Sequence, residues 1–220
     1  MSTSHDQPRL FPYVVESASR LAARGHYAQF RKRSRRAGPC VTVEEPLADG
    51  CIPYVTHLTG VACILARLDV APVVLAAALL HDYLEDVPDA DGRSRIEREV
   101  GGEVLVLVLE LTEDKRRSRD QAETWELRKH EAIDSIATMS ESAVLIKAAD
   151  VVHNLSTLVY DLQSSQEPDE VWRRFNAEAP RQIWYFEAIH RAVAHRLGED
   201  HTLAREIRGL TRIIVEWAPK

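Results

Sequence analysis

The chain has 220 residues, of which 45% are hydrophobic and 28% charged, and a formal net charge of −6. That length suits one domain with a sizeable core, and the composition excludes a disordered chain. The acidic balance excludes a protein that coats nucleic acid with its whole surface, while leaving room for a local basic patch.

The three cysteines, Cys40, Cys51 and Cys63, form no CxxC pair and have no zinc spacing. Their odd number points to free thiols in a reducing compartment. The opening "MSTSHDQPRL" lacks the basic and apolar regions of a signal peptide. No apolar run reads as long enough to span a bilayer. The expectation is a cytoplasmic protein without a membrane segment.

In chain order, residues 16–36 have a helical pattern that ends in the basic run "RKRSRRAGP" and breaks at Gly38 and Pro39. "CVTVEEPLADGCIP" reads as a loop with a short extended piece at Val41 to Val43. A helix is expected to open near Pro53. It carries Val61, Ile64, Leu65 and Leu68 on one side, with His57 on that same side. Pro72 opens the next helix, which runs through Asp86, and "VPDADG" is a turn. "RSRIEREVG" is helical and is punctuated by Gly101 and Gly102.

"EVLVLVLELTE" is a buried strand or a buried helix, and periodicity does not decide between them. "TWELRKHEAIDSIATM" is an amphipathic helix. "SAVLIKAADVVHNLSTLVYDL" is another, capped near Ser140 or Ser142, and "QSSQEPDE" is a polar loop. Two or three helices follow, with Pro180 as a break or first-turn residue and "LGEDH" between the last two. The reading is a single domain over residues 1–220, with a core from about 16 to 215 and no repeats.

The most apolar run ends in "LLHDYLEDV", an imidazole and three carboxylates. Charges against apolar packing are costly unless paired or bound to a metal. His57, His81, Asp82 and Asp150 come from three predicted helices, and each interrupts or ends an apolar stretch. Singly, each histidine is a core residue and Asp82 a polar helix end. Jointly they read as ligands of one divalent ion, and imidazole with carboxylate suits manganese, iron, zinc or cobalt alike.

Glu85 and Asp86 lie one turn beyond His81 and Asp82, where a carboxylate can orient or deprotonate a water activated by the ion. The alternative is two solvated acids at a helix end, though acids are disfavoured beside the negative C-terminal dipole. Lys147, Asp150 and Asn154 share one face of their helix, with His153 an i+3 neighbour of Asp150. That face is either a surface stripe or a site in which Asn154 hydrogen-bonds a sugar or base. The basic run "FRKRSRR" is a solvated face, a phosphate-binding group or a nucleic-acid patch.

Together these segments resemble the HD superfamily of metal-dependent phosphohydrolases, and within it the (p)ppGpp hydrolase domain of the RelA/SpoT family in its stand-alone form. The resemblance runs from about His26 to the C-terminal helices. It implies an all-α, compact multi-helix HD-domain phosphohydrolase fold, which makes "EVLVLVLEL" a buried helix.

"HYAQFRK" resembles the family's opening helix and gives Arg31 and Lys32 a place at the nucleotide. "PYVTH" resembles the segment of the first metal ligand, His57. "ALLHDYLED" resembles the HD motif with its catalytic Glu85 and Asp86. "LIKAADVVHNL" resembles the helix of the last ligand, Asp150, with Asn154 as nucleoside contact and Lys147 facing Asp150 or a phosphate. The weaker matches "WELRK" and "RQIWYFEAI" imply phosphate or pocket contacts at Arg128, Lys129, Arg181 and Tyr185.

The implied cofactor is one manganese ion. The implied reaction is hydrolysis of the 3′-pyrophosphate of guanosine tetra- or pentaphosphate, a small nucleotide substrate. Two departures stand out: Leu58 where the family usually has proline, and a longer connection over residues 33–52. That connection leaves room for another nucleotide, such as an adenosine alarmone or a phosphorylated dinucleotide. The remaining reading is a nucleic-acid-binding helical protein with a structural HD site, which the intact set of ligands and acids disfavours. Oligomeric state and regulation are not legible.

Overall fold

The structure is a computed structural model in which residues 10–31, 52–116, 119–120 and 122–219 are described. Among them are eleven helices and one two-stranded ladder. The expected all-helical architecture stands, and its buried apolar side chains form one contiguous core.

The first helix, α1 (Tyr13–Gly25), stops well short of the expected residue 36. Gly25 packs on an aromatic ring, and a Cβ there would lie 2.5 Å from Cε2 of Tyr83. The chain turns at His26, and the Gln29 side-chain amide donates to the Asp86 carbonyl at 2.7 Å. The next residues are extended. β1 (Phe30–Arg31) pairs antiparallel with β2 (Ile52–Pro53), with Arg31 opposite Ile52. Arg31 is therefore in a strand and not on a helix. Lys32, Cys40, Cys51, the extended piece at Val41 to Val43 and most of the basic run lie outside the described residues.

α2 (Val55–Ala66) begins two residues after Pro53. α3 (Pro72–Leu80) does not continue to Asp86, as the sequence suggested. It breaks at His81 and Asp82, and α4 (Tyr83–Asp86) follows. The His81 Nδ1–H donates to the Ala78 carbonyl at 2.7 Å. That carbonyl is the one an unbroken helix would offer to residue 82.

α5 (Gly92–Glu99) and α6 (Gly102–Leu111) follow, and α6 settles the ambiguous run as a helix. α7 (Trp125–Ser135) leads to the central helix α8 (Glu141–Ser164). The Ser140 hydroxyl caps α8 by accepting from the Ala143 N–H at 3.2 Å. α8 takes up Gln163 and Ser164, shortening the expected polar loop. By length and composition α8 could cross a membrane, contrary to the reading from apolar runs. Here it is largely buried, packed on α2, α3 and α6 and on the later helices.

α9 (Pro168–Trp172) is short, and α10 (Ala179–Leu197) has Pro180 in its first turn. α10 ends at Gly198, whose φ of 96° suits a residue without a Cβ. α11 (Thr202–Glu216) closes the bundle against α8 and α10.

Candidate active site

Three helices deliver the ligand candidates. α2 supplies His57 from its buried face, the α3–α4 break supplies His81 and Asp82, and α8 supplies Asp150. His57 Nε2 lies 3.1 Å from Asp150 Oδ1 and 3.7 Å from Asp82 Oδ2. His81 Nε2 lies 3.2 Å from Asp82 Oδ2 and 3.8 Å from Asp150 Oδ1. The donor atoms of His57, His81 and Asp150 fall within 4.8 Å of one another, a grouping that can hold a metal ion.

The surroundings orient the imidazoles. His81 Nδ1 donates its proton to the Ala78 carbonyl, so Nε2 is the ring nitrogen turned towards the cluster. That Nε2 is buried and faces the Asp82 carboxylate. His153 Nδ1 is 3.1 Å from Arg31 Nη1, which can only donate. It is also 3.0 Å from His57 Nδ1, and the other ring nitrogen of His57, Nε2, is turned inward towards Asp150 and Asp82. Two inward imidazole nitrogens and two carboxylates, each held by an outer partner, fit a divalent ion.

The electrostatics agree with a site for positive charge. Burial pulls the His81 pKa down, but Asp82 and Asp150 outweigh it and push it up to about 9. Asp82 and Asp150 are held below the usual carboxylate range, because the neighbouring imidazoles outweigh the effect of burial. Metal binding would displace the proton on His81.

Glu85 and Asp86 share a cation that the sequence reading missed. Lys115 Nζ lies 3.0 Å from Glu85 Oε2 and 2.7 Å from Asp86 Oδ1. The Glu113 N–H donates to Glu85 Oε1 at 2.6 Å. Burial raises the Glu85 pKa, and the Asp82 charge adds to it while Lys115 opposes it. The Tyr54 hydroxyl reaches Asp82 Oδ2 at 2.5 Å and Asp86 Oδ2 at 3.3 Å. Burial and these acids raise the Tyr54 pKa far above its usual value, so it stays a donor. Tyr54, Glu113 and Lys115 sit in turns and loops, where no periodic pattern marks them. His153 had the i+3 spacing to Asp150 as a signal.

A cavity of about 540 Å³ opens over the cluster, within the range of small-molecule sites. Its wall includes the four ligand candidates, Glu85, Arg31, Lys147 and Asn154. Arg128, Lys129 and Tyr185 also line it, with Lys129 Nζ 4.3 Å from the Tyr185 ring centroid. Arg31 Nη2 donates to Asn154 Oδ1 at 2.6 Å, and Asn154 Nδ2 donates to Asp150 Oδ1 at 2.6 Å. Lys147 is buried and pairs with Glu113 at 2.6 Å. Asp86 stands behind the wall, among Lys115 and Tyr54. Arg181 also stands apart: its guanidinium lies 4.9 Å from the Trp125 ring centroid and pairs with Glu126. Lys32 lies outside the described residues.

The family described as HD domain matches residues 35–182. The guanosine-3′,5′-bis(diphosphate) 3′-pyrophosphohydrolase of Haemophilus influenzae is 35% identical over 152 residues, which is 68% of this chain and 20% of that protein. The chain thus spans about a fifth of the length of such bacterial relatives. The human guanosine-3′,5′-bis(diphosphate) 3′-pyrophosphohydrolase MESH1 is 33% identical over 147 residues, covering 65% of this chain and 71% of that one. A solved structure described as a metazoan ortholog of SpoT that hydrolyzes ppGpp superposes with a TM-score of 0.64 and 26% identity, covering 94% of this chain and 96% of the other. With this fold, this grouping of two histidines and an aspartate on three helices and these matches, the chain belongs to the HD-domain family.

Proposed function

We propose that this chain hydrolyses the 3′-pyrophosphate of guanosine alarmones, releasing pyrophosphate and GDP or GTP, with one manganese ion, in the cytoplasm. The observation that carries the reading is the buried His81 Nε2, turned towards two carboxylates and His57 at the edge of a nucleotide-sized cavity. Relatives named for this reaction support it.

His57, His81, Asp82 and Asp150 would hold the ion. When bound, it supplies Lewis acidity that lowers the pKa of a water and polarises a phosphate oxygen. Glu85 orients the attacking water and takes its proton, and its burial makes it a stronger base than an exposed glutamate. Lys115 and Asp86 hold Glu85 in place. Water adds to the phosphorus attached at O3′, the bond to O3′ breaks, and the ribose regains its 3′-hydroxyl. Arg31 and Asn154 hold the nucleotide, while Lys129, Arg128 and Tyr185 offer donors and a ring face to the rest of it. Lys147 positions Glu113, and Lys32 assists at the phosphates.

The test is a panel of guanosine and adenosine 3′,5′-bis(diphosphates) and phosphorylated dinucleotides incubated with manganese-loaded protein. Pyrophosphate and orthophosphate are measured separately. Pyrophosphate from the guanosine compounds is expected. Orthophosphate alone, or turnover only of another nucleotide, would replace the reading.

A further inference from the structure

The cavity continues beyond the ligand cluster along α8. Asp150 stands at one end of it and Asn154 one turn further on. Asp161 lies about 16 Å from Asp150 along the helix axis, at 1.5 Å per residue. It lines the far end together with Arg174 and Phe175 from the segment after α9. Arg174 Nη1 is 3.7 Å from Asp161 Oδ2, and the Asp161 side chain is 17% exposed against 46% for Arg174. The carboxylate is thus set into the wall with the guanidinium at its rim.

This pair sets a carboxylate, which only accepts, beside a fork of donors. Guanine presents the complement on two adjoining edges: the N2 amino group and N1–H donate on one, and O6 and N7 accept on the other. A carboxylate accepts from the first two, and a guanidinium donates to the last two. Adenine inverts the match. Its N1 lone pair would face the carboxylate and its amino group would face the guanidinium. The ring of Phe175 is 36% exposed and offers a stacking face. A nucleoside with its 3′-phosphates at Asp150 extends along α8 towards this pair.

We propose that Asp161 and Arg174 are the base-reading pair of this cavity and select guanine over adenine. The proposal rests on the reading of the cavity as a nucleotide site, and it assigns the base preference within that reading.

The test reads binding and not turnover. The full chain, as parent and as Asp161→Asn, is titrated with GDP, inosine 5′-diphosphate and ADP, and the fold of the variant is checked by its thermal transition. The parent should bind GDP about tenfold or more tighter than either analogue, the loss expected when a charged group gives up a hydrogen bond. Asp161→Asn should bring the affinities for GDP and inosine diphosphate to within about twofold of one another and narrow the ratio of GDP to ADP. Inosine diphosphate lacks only the 2-amino group, so the parent alone tests the carboxylate even if the variant does not fold. Equal affinities for GDP and inosine diphosphate in the parent would overturn the proposal. So would an unchanged ratio of GDP to ADP in a folded variant. A parent that bound GDP selectively but hydrolysed no alarmone would count against the proposed reaction and in favour of this pair.

Discussion

Glu85 sits between opposing influences, and its predicted behaviour follows from them. Burial raises its pKa, and the Lys115 ammonium 3.0 Å away opposes the rise. If Glu85 removes a proton from water, the interaction belongs to the transition state, and its loss lowers kcat more than it raises KM. Glu85→Gln should lose about 10²–10⁴-fold in kcat with metal content intact. A parent-like rate would remove Glu85 from the chemistry. A base acts when ionised, so the acid limb of kcat should lie above the ordinary glutamate range. Lys115→Met removes the opposing charge and should move that limb to higher pH. A limb that stayed in place in a pH–kcat series would show that Lys115 does not govern Glu85.

The elements hold these residues through close contacts. Gly60 on α2 faces the His153 ring on α8, and a Cβ at Gly60 would lie 2.2 Å from His153 Nε2. That ring orients His57 through the 3.0 Å contact between their Nδ1 atoms. Gly60→Ala should therefore push His153 away and weaken metal affinity about 10–100-fold, the usual loss when an outer partner of a ligand is disturbed. Metal titration of the variant checks this, and an unchanged affinity would show that His57 needs no such support.

The segment after α6 is tied to α8 by Glu113 and Lys147. Burial raises the Glu113 pKa, but Lys147 outweighs it and holds the value below its usual range. Burial lowers the Lys147 pKa, but Glu113 outweighs it and raises the value well above the usual one. The pair therefore adds stability at neutral pH. The Glu113 contribution is lost as pH falls below the ordinary glutamate range, and the Lys147 contribution is lost as pH rises above the ordinary lysine range. Glu113→Gln should cost about 3 kcal/mol by leaving a buried ammonium unpaired. Adding Lys147→Met should recover much of that loss in denaturant titrations. Simple additivity of the two losses would contradict a coupled pair.

At the scale of the molecule, the helices were legible wherever one apolar face repeats, as along α2 and α8. They were misread where a side-chain contact ends them. Gly25 against Tyr83 stops α1, and the His81 side chain takes the Ala78 carbonyl and divides α3 from α4. The first contact joins distant parts of the chain, and the second, though local, leaves no mark on the apolar periodicity. The four ligand candidates stood out because polar groups at the ends of apolar runs need a reason, whereas Lys115 is one charge in the polar run "EDKRRSRD" and Tyr54, beside Ile52, Pro53 and Val55, reads as an ordinary apolar position.

The central claim is that His57, His81, Asp82 and Asp150 form one metal site on which hydrolysis depends. The measurement that tests it most directly is manganese bound per chain, read alongside pyrophosphate release, in the parent and in Asp150→Ala. One ion per parent chain is expected, with both metal and activity lost from a variant that stays folded. Full metal content in Asp150→Ala, or pyrophosphate release by chelator-stripped parent, would contradict the claim.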